Sequence, residues 1–334
     1  MEWALLVLVT AALAVNAGLL WHDRRTLASL AALGRLGLHD DVLAHRLPVA
    51  HWRREGRSVQ AASALLTGRY AAALALLGPT PHRVPGLADD RAADLVRASA
   101  LAGLGRYAEA AALLGDDPGR PALRRVRAQV AVEVGDDPLA ERLLAESGRD
   151  LLDEAGRHRL LGDLRLRRGR VADAQALLRG AQAIYSSLDD PGVDVDAAVC
   201  DVLLARAALA EHRVTEALET ARSAVAALER RPDNAAGLAE AHGTAAEAFA
   251  SAGDARACAA HLARARAEAA LCASPALDAE VAGAAGRAAL ALGQPGAAEL
   301  LADAARRHEA LGAFPEAERL RLLGDGAPGR SGAV

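Results

Sequence analysis

The chain has 334 residues, of which 52% are hydrophobic but only 2% are aromatic, and its formal net charge at pH 7 is −4. A core so poor in aromatic side chains must be packed largely from alanine and leucine, which favours close-packed helices over β-sheets. The negative charge disfavours binding to the phosphate backbone of nucleic acid. Lysine is absent, which excludes a Schiff-base site and a phosphate-binding loop of the G-x-x-x-x-G-K type.

The first 25 residues resemble a membrane anchor. Residues 4–20 carry no charge and lie between Trp3 and Trp21. As a helix, the eighteen residue steps from Trp3 to Trp21 would measure roughly 27 Å, close to the thickness of the hydrocarbon core of a bilayer. Arg24 and Arg25 then open a stretch with more arginines than acidic residues, which favours the cytoplasmic side. We therefore predict a single-pass protein of the cell membrane with its N-terminus outside and its body in the cytoplasm. A cleaved signal peptide, or a buried helix of a soluble protein, is the alternative.

From residue 50 onward, apolar helical stretches alternate with short breaks of one kind. The clearest breaks are Gly68-Arg69-Tyr70-Ala71-Ala72-Ala73 and Gly105-Arg106-Tyr107-Ala108-Glu109-Ala110. In each, a glycine ends one helix in the left-handed conformation, an apolar residue starts the next helix, and an alanine lets the two helices approach closely. Weaker copies of this break begin at Gly135, Gly169, His212, Gly253 and Gly293. Such short turns predict antiparallel helix pairs.

These two breaks resemble the Gly-x-Tyr-x-x-Ala turn of the tetratricopeptide repeat (TPR) family, and the resemblance covers about residues 50–324. It implies an all-α fold, a right-handed superhelical array of antiparallel helix pairs. The first helix of each pair would line a concave groove that binds peptides or partner helices. Another kind of α-solenoid is the alternative, and it would also present an extended surface.

The array is predicted to fall into several segments. Residues 26–77 would form membrane-proximal helices that include the first repeat, and residues 78–90 form a proline-rich linker. The main body of TPR-like repeats would then span residues 91–324. A flexible tail over residues 325–334 completes the chain.

No motif of an enzyme is present: G-x-S-x-G, H-E-x-x-H and glycine-rich dinucleotide loops are all missing. Three histidines recur every six residues, a spacing that spreads them around a helix and argues against a shared metal ion: His39, His45 and His51. Three widely spaced cysteines lie in alanine-rich surroundings and are predicted to be small core residues: Cys200, Cys258 and Cys272. We expect no enzymatic activity, no cofactor, no metal and no small-molecule substrate.

The family resemblance implies which side chains face the groove, because inward positions lie at fixed distances before each turn. Projected onto this chain, they give a basic middle of the groove with Arg125, Gln129, Glu133, Arg159, Asp163, Arg167 and Arg206. They give a more acidic C-terminal end with Glu240, Glu247, Glu280 and Arg287. We expect the four arginines of the middle to bind carboxylates of an acidic or C-terminal peptide segment. Solvated arginines, or pairs with acidic residues of adjacent helices, are the alternative.

The sequence thus predicts a membrane-anchored, non-catalytic scaffold or adaptor that binds a protein or peptide partner in its groove. A regulatory protein that senses a signalling peptide is the alternative in another class. An exported binding module would follow if residues 1–21 were a signal peptide.

Overall fold

The computed structural model describes residue 43 and residues 53–78, 91–116, 119–145, 150–188, 193–231 and 233–326. Fifteen helices and no strands make up this part of the chain. They are α1 (Arg53–Leu66), α2 (Tyr70–Leu77), α3 (Arg91–Gly103), α4 (Tyr107–Leu114), α5 (Pro121–Val134), α6 (Asp137–Ala145), α7 (Leu151–Arg167), α8 (Val171–Ser187), α9 (Asp194–Ala210), α10 (Val214–Glu229), α11 (Ala235–Ser251), α12 (Ala255–Cys272), α13 (Pro275–Ala291), α14 (Ala297–Ala310) and α15 (Phe314–Asp325).

The predicted turns separate the two helices of each pair. At the turn between α3 and α4, Gly105 has a φ of +75°, which glycine adopts without steric cost. The backbone N–H of Gly105 donates to the carbonyl of Ala102, and that of Arg106 donates to Leu101, so the free carbonyls at the end of α3 are satisfied. His212 takes the glycine position between α9 and α10 with a φ of +57°.

The helices pack in two layers. Each odd-numbered helix from α1 to α13 packs against the even-numbered helix that follows it, and each from α1 to α11 also contacts the next odd-numbered helix. Small residues fill the space between the layers, as in the core of α9, α10 and α11, which buries Ala205, Ala208, Ala217, Ala221, Ala241 and Ala245. The expected all-α array of helix pairs is confirmed.

The first helix hairpin, α1 and α2, packs directly on the helices that follow it. Helices α1 and α2 pack on α3 through a buried cluster of small residues, Ala61, Ala64, Ala73, Val96 and Ala100. Residues 79–90, most of the predicted linker, lie outside the described part, as do residues 327–334 of the predicted tail.

The array curls back on itself, so that its C-terminal helices sit on the turns of its N-terminal hairpins. We call this contact the seam. A β-carbon built on each of the first three turn glycines would lie within 3 Å of a side-chain atom from the C-terminal half: Gly68 against Cys272 (2.8 Å), Gly105 against Leu311 (2.8 Å) and Gly135 against Pro315 (2.4 Å). The turn glycines Gly169, Gly253 and Gly293 have nothing within 4 Å. Glycine therefore serves two purposes in the first turns: it permits a positive φ and it leaves room for the seam.

A hydrogen bond across 171 residues of sequence fastens the seam. Ser274, which is fully buried, donates its hydroxyl to the carbonyl of Gly103 at 2.5 Å. The same hydroxyl accepts the N–H of Leu277 at 3.1 Å and so caps the start of α13. One side chain thus stabilises both a helix end and the contact between the two ends of the array.

We expect Ser274→Ala to lower the free energy of unfolding by about 2 kcal/mol, because it removes a helix cap and leaves the partly buried carbonyl of Gly103 without its donor. Urea denaturation measures the change. Asp254→Ala is the matched control, since Asp254 caps α12 from an exposed position and makes no contact across the seam. A loss no larger than that of the control would show that the bond to Gly103 contributes nothing.

The expected location in the cell membrane is corrected. Within the described residues, no helix is long and apolar enough to span a bilayer. The longest of them, α12, has 18 residues, and its charged side chains include Arg256, Arg264 and Glu268, whereas a span needs about 20 mostly apolar residues. The residues predicted to form the anchor, Trp3, Trp21, Arg24 and Arg25, lie outside the described part. The membrane location is therefore withdrawn.

Candidate functional site: the lumen of the curled array

The curled array encloses a lumen with two chambers. The first, which we call the tyrosine chamber, has a volume of about 300 Å³. The N-terminal hairpins supply Tyr70 and Tyr107 to its wall, and the C-terminal helices supply Glu240, Glu280 and His308. Because its walls come from both sides of the seam, this chamber exists in this form only while the seam is closed.

The second chamber, which we call the leucine chamber, has a volume of about 580 Å³. Apolar side chains form much of its wall: Leu166, Leu209, Val214, Leu290 and Leu323. Polar groups at the same wall are His212, Glu247, Ser251, Arg287 and Arg319. Its size and its mixture of apolar wall with a few polar groups are typical of pockets that bind ligands.

Four charged residues line both chambers and form a shared wall between them: Asp163, Arg167, Arg206 and Glu280. Arg167 extends from α7 and donates two hydrogen bonds to Glu133 of α5, at 2.8 and 3.1 Å. Its Nε also lies 3.2 Å from Asp163, one turn earlier on α7. Burial disfavours the charge of Arg167, but Asp163 and Glu133 outweigh it and raise the pKa of the guanidinium well above its ordinary value.

The other half of the shared wall joins α9 to the C-terminal helices. Arg206 donates to the hydroxyl of Thr244 at 3.1 Å, and its Nη2 lies 3.9 Å from Glu280. Burial opposes the ionisation of Glu280, but the positive charges around it, Arg206 first among them, lower its pKa well below the ordinary value. Glu280 is therefore ionised at neutral pH.

A second ion-pair group borders the leucine chamber. Arg287 of α13 donates two hydrogen bonds to Glu247 of α11, at 2.8 and 3.0 Å, and a third to Glu316 of α15, at 3.3 Å. Burial disfavours the charge of Arg287, but Glu247 and Glu316 raise the pKa of Arg287 above its ordinary value. These pairs connect the last three odd-numbered helices.

Two carboxyl groups of the tyrosine chamber are harder to ionise. Burial raises the pKa of Glu133 to about 7 in spite of its hydrogen bonds from Arg167. Burial also raises the pKa of Glu240, and the neighbouring charge of Arg206 offsets this only in part. Among the described residues, no group donates a hydrogen bond to Glu240 or lies within ion-pair distance of it. These two side chains are therefore the carboxyl groups of the chamber that take up a proton most readily.

The structure brings together most of the side chains that the sequence assigned to the groove. Those that line the tyrosine chamber are Gln129, Glu133, Arg159, Asp163, Arg167, Arg206, Glu240 and Glu280. Glu247 and Arg287 line the leucine chamber. Arg125 lines neither and forms an ion pair with Asp153. Whether any of these residues binds a partner stays a prediction.

Sequence reasoning missed several residues of the lumen. Tyr70 and Tyr107 were recognised only as turn residues, yet both line the tyrosine chamber. His308 and Leu323 lie after the last turn used for the projection, and they reach the lumen because α14 and α15 close it. The sequence signal for both tyrosines is their position two residues after a turn glycine that the seam covers.

The three cysteines do not contribute to the lumen. Cys200, Cys258 and Cys272 are free and buried. Burial raises the pKa of Cys200 to about 12 and that of Cys272 to about 11, so both are neutral thiols at physiological pH.

A solved structure has a similar fold. The crystal structure of a Rap protein complexed with competence and sporulation factor matches 91% of this chain and 97% of its own, with a TM-score of 0.53 and 12% sequence identity. Aspartyl phosphate phosphatase F from Bacillus subtilis matches 91% of this chain and 93% of its own, with a TM-score of 0.43 and 10% identity. No family model matches the sequence, and no curated protein does. The first structure shows that this chain has a helical-repeat fold of the same kind as that Rap protein.

Proposed function

We propose that this protein is a non-catalytic adaptor that binds a segment of a protein or peptide partner in its lumen. The observation that carries the proposal is the leucine chamber, whose apolar wall is not covered by the described part of the chain. Burying such a wall under a partner's apolar side chains contributes about 25 cal/mol per Å² of apolar surface removed from water. The polar groups beside it, among them Arg319 and His212, would orient the segment.

Two of the four arginines that were expected to bind a partner's carboxylates already lie beside carboxylates of the protein itself. Arg167 and Arg206 already face carboxylates of the protein, so a partner's carboxylate would have to displace Glu133, Asp163 or Glu280. Arg159 has no carboxylate within ion-pair distance among the described residues. Of the arginines in the lumen, it is therefore the one we propose to meet an acidic group of the segment first.

A regulatory role is the second candidate. It is favoured by the seam, because a segment bound between the two ends of the array would change how tightly they close. It is also favoured by the Rap protein of similar fold, which was crystallised as a complex with competence and sporulation factor. A change in the radius of gyration on addition of a binding segment would favour the regulator, whereas an unchanged radius would favour the adaptor.

We expect Leu166→Arg to abolish partner binding, because it places a long charged side chain in the leucine chamber. Leu166 belongs to the chamber wall and to none of the buried clusters, so the fold should tolerate the change. The measurement is quantitative affinity purification from the native host with wild-type and variant protein. Leu152→Arg on the same helix is the matched control, since Leu152 is 44% exposed and lines neither chamber. The proposal predicts proteins that wild type and control retain and Leu166→Arg loses; identical sets from all three would refute it.

A further inference from the structure

Two histidines that line neither of the two chambers join α11 to α12. The Nδ1 atom of His242, on α11, lies 2.9 Å from the Nδ1 atom of His261, on α12. At this distance one of the two nitrogens carries a proton and donates a hydrogen bond to the other. The bond requires that one Nδ1 atom has no proton, so it is lost once both rings are protonated.

The surroundings of the pair disfavour a positive charge. His242 is 3% exposed, and its Nε2 atom has no hydrogen-bond partner among the described residues. In a protonated ring both nitrogens are donors, so this Nε2 would become a buried N–H without an acceptor. His261 is half-buried and stacks on the ring of Phe249, with the ring centres 5.1 Å apart. The guanidinium of Arg222, on α10, lies 5.0 Å from the centre of the same Phe249 ring.

Charged side chains act on the pair from α10 and α12. Burial, then the ring of His261 and the guanidinium of Arg264, lower the pKa of His242 to about 4. Burial also lowers the pKa of His261, where Glu229 opposes the effect and Arg222 adds to it. Both histidines are therefore neutral at pH 7 while α11 and α12 are in contact.

The other helices that pack on α11 direct their charges into the lumen. Arg206 of α9 donates to Thr244, and Arg287 of α13 donates to Glu247, so these charges meet α11 at the chamber walls. On α12, Cys258 lies in a buried cluster, where burial raises the pKa of its thiol and keeps it neutral. Among the groups that meet between α11 and α12, the two histidines are thus those whose ordinary pKa, about 6.5, lies between pH 7 and pH 5.

Helix α12 connects the pair to the seam. Its last residue, Cys272, lies against the turn at Gly68. Two residues later, Ser274 donates its hydroxyl to the carbonyl of Gly103. A separation of α12 from α11 would therefore disturb two of the contacts that close the array.

We propose that His242 and His261 form an acid-sensitive latch that holds α12 against α11 and thereby keeps the seam closed. At neutral pH the hydrogen bond between the two rings joins the helices. Protonation of both rings breaks this bond and places two positive charges side by side near Arg222 and Arg264. The latch acts on the array itself, and the proposal holds whether or not a partner binds in the leucine chamber.

The direction of the pH dependence follows from proton binding. When α12 separates from α11, the rings reach water and regain their ordinary pKa of about 6.5, which is higher than in the closed array. The open form therefore binds more protons below pH 6.5. Closure is fully stable above that pH and is progressively lost as the pH falls toward 4. For His242 alone, this linkage raises the ratio of open to closed molecules about thirtyfold at pH 5.

Hydrogen–deuterium exchange with mass spectrometry at pH 7.5 and 5.0 tests the proposal on the wild-type chain, after correction for the intrinsic exchange rate at each pH. We expect protection in α11 and α12 to fall at least about tenfold more than protection in α7 and α8. Protection of the N–H of Leu277, which donates to Ser274, should fall with it, because the seam opens. Equal changes in the two helix pairs would overturn the proposal.

The double variant His242→Asn/His261→Asn isolates the pair. Asparagine places an amide near the position of each Nδ1 atom and can form a hydrogen bond, but it does not titrate. We expect the acid-dependent loss of protection in α11 and α12 to disappear. His158→Asn on α7 is the matched control, since His158 contacts Arg157 and no second histidine, and it should keep the wild-type response. A wild-type response in the double variant would also overturn the proposal. The exchange experiment on wild type decides alone if the double variant does not fold.

Discussion

Replacing Arg167 with methionine is expected to lower the free energy of unfolding by about 3 kcal/mol, since removing one partner of a buried ion pair leaves the other charge uncompensated. The side chains of Arg167 and Glu133 are 19% and 16% exposed, so water reaches them only in part. The change would leave Glu133 and Asp163 without the cation that they share. Urea or guanidinium denaturation followed by circular dichroism measures the loss.

Arg165→Met is the matched control for that variant. Arg165 lies on the same helix and pairs with Glu141 at 2.6 Å, but Glu141 is 40% exposed, so the pair should be worth less than about 1 kcal/mol. The double variant Arg167→Met/Glu133→Gln should recover part of the loss, because it removes one of the two charges left without a partner. Equal losses for Arg167→Met and Arg165→Met would contradict the structural importance of the shared wall.

The variant Gly135→Ala should open the seam. Gly135 has a φ of +84°, where a β-carbon costs roughly 1–2 kcal/mol. That β-carbon would also lie 2.4 Å from Cγ of Pro315 at the start of α15, a contact that requires the helix to shift. Together we expect a loss of about 3 kcal/mol in the free energy of unfolding, since overpacking adds a further 1–3 kcal/mol. Small-angle X-ray scattering should show a larger radius of gyration.

The variant Gly253→Ala separates the backbone cost of a positive φ from the cost of the clash with a neighbouring helix. Gly253 has a similar φ of +79° but nothing within 4 Å of its would-be β-carbon, so only the backbone cost should appear and the radius should not change. The double variant Gly135→Ala/Pro315→Ala removes the ring atoms that clash and should recover the closed dimensions. If Gly135→Ala and Gly253→Ala show the same loss of free energy of unfolding and the same radius of gyration, α15 does not contact this turn in solution.

The helix pairs could be predicted from the sequence because their signals are local. Gly105 and Tyr107 lie within three residues of each other and specify the end of one helix and the start of the next. The inward position of Arg159, Asp163 and Arg167 is what the family resemblance implies when positions are counted back from the turn glycine, and their spacing of four places them on one face of the helix. These features needed no knowledge of distant parts of the chain.

The seam and the charge balance of the lumen could not be predicted in this way. Ser274 and Gly103 are 171 residues apart, and nothing in either local sequence indicates the contact. Gly68 and Gly253 open similar turns, although only Gly68 is covered by another helix. Likewise, nothing in the sequence around Arg167 indicates that its guanidinium donates two hydrogen bonds to Glu133, which lies 34 residues earlier.

The seam fixes how many helix pairs can lie between its two sides. In an open solenoid each unit contacts only its neighbours, so units can be added or lost with an approximately constant change in stability. Here the insertion or deletion of one pair would move Ser274 away from Gly103 and Pro315 away from Gly135. The two sides of the seam are thereby expected to unfold together, and the number of helix pairs between them becomes as strictly constrained as the residues of the lumen.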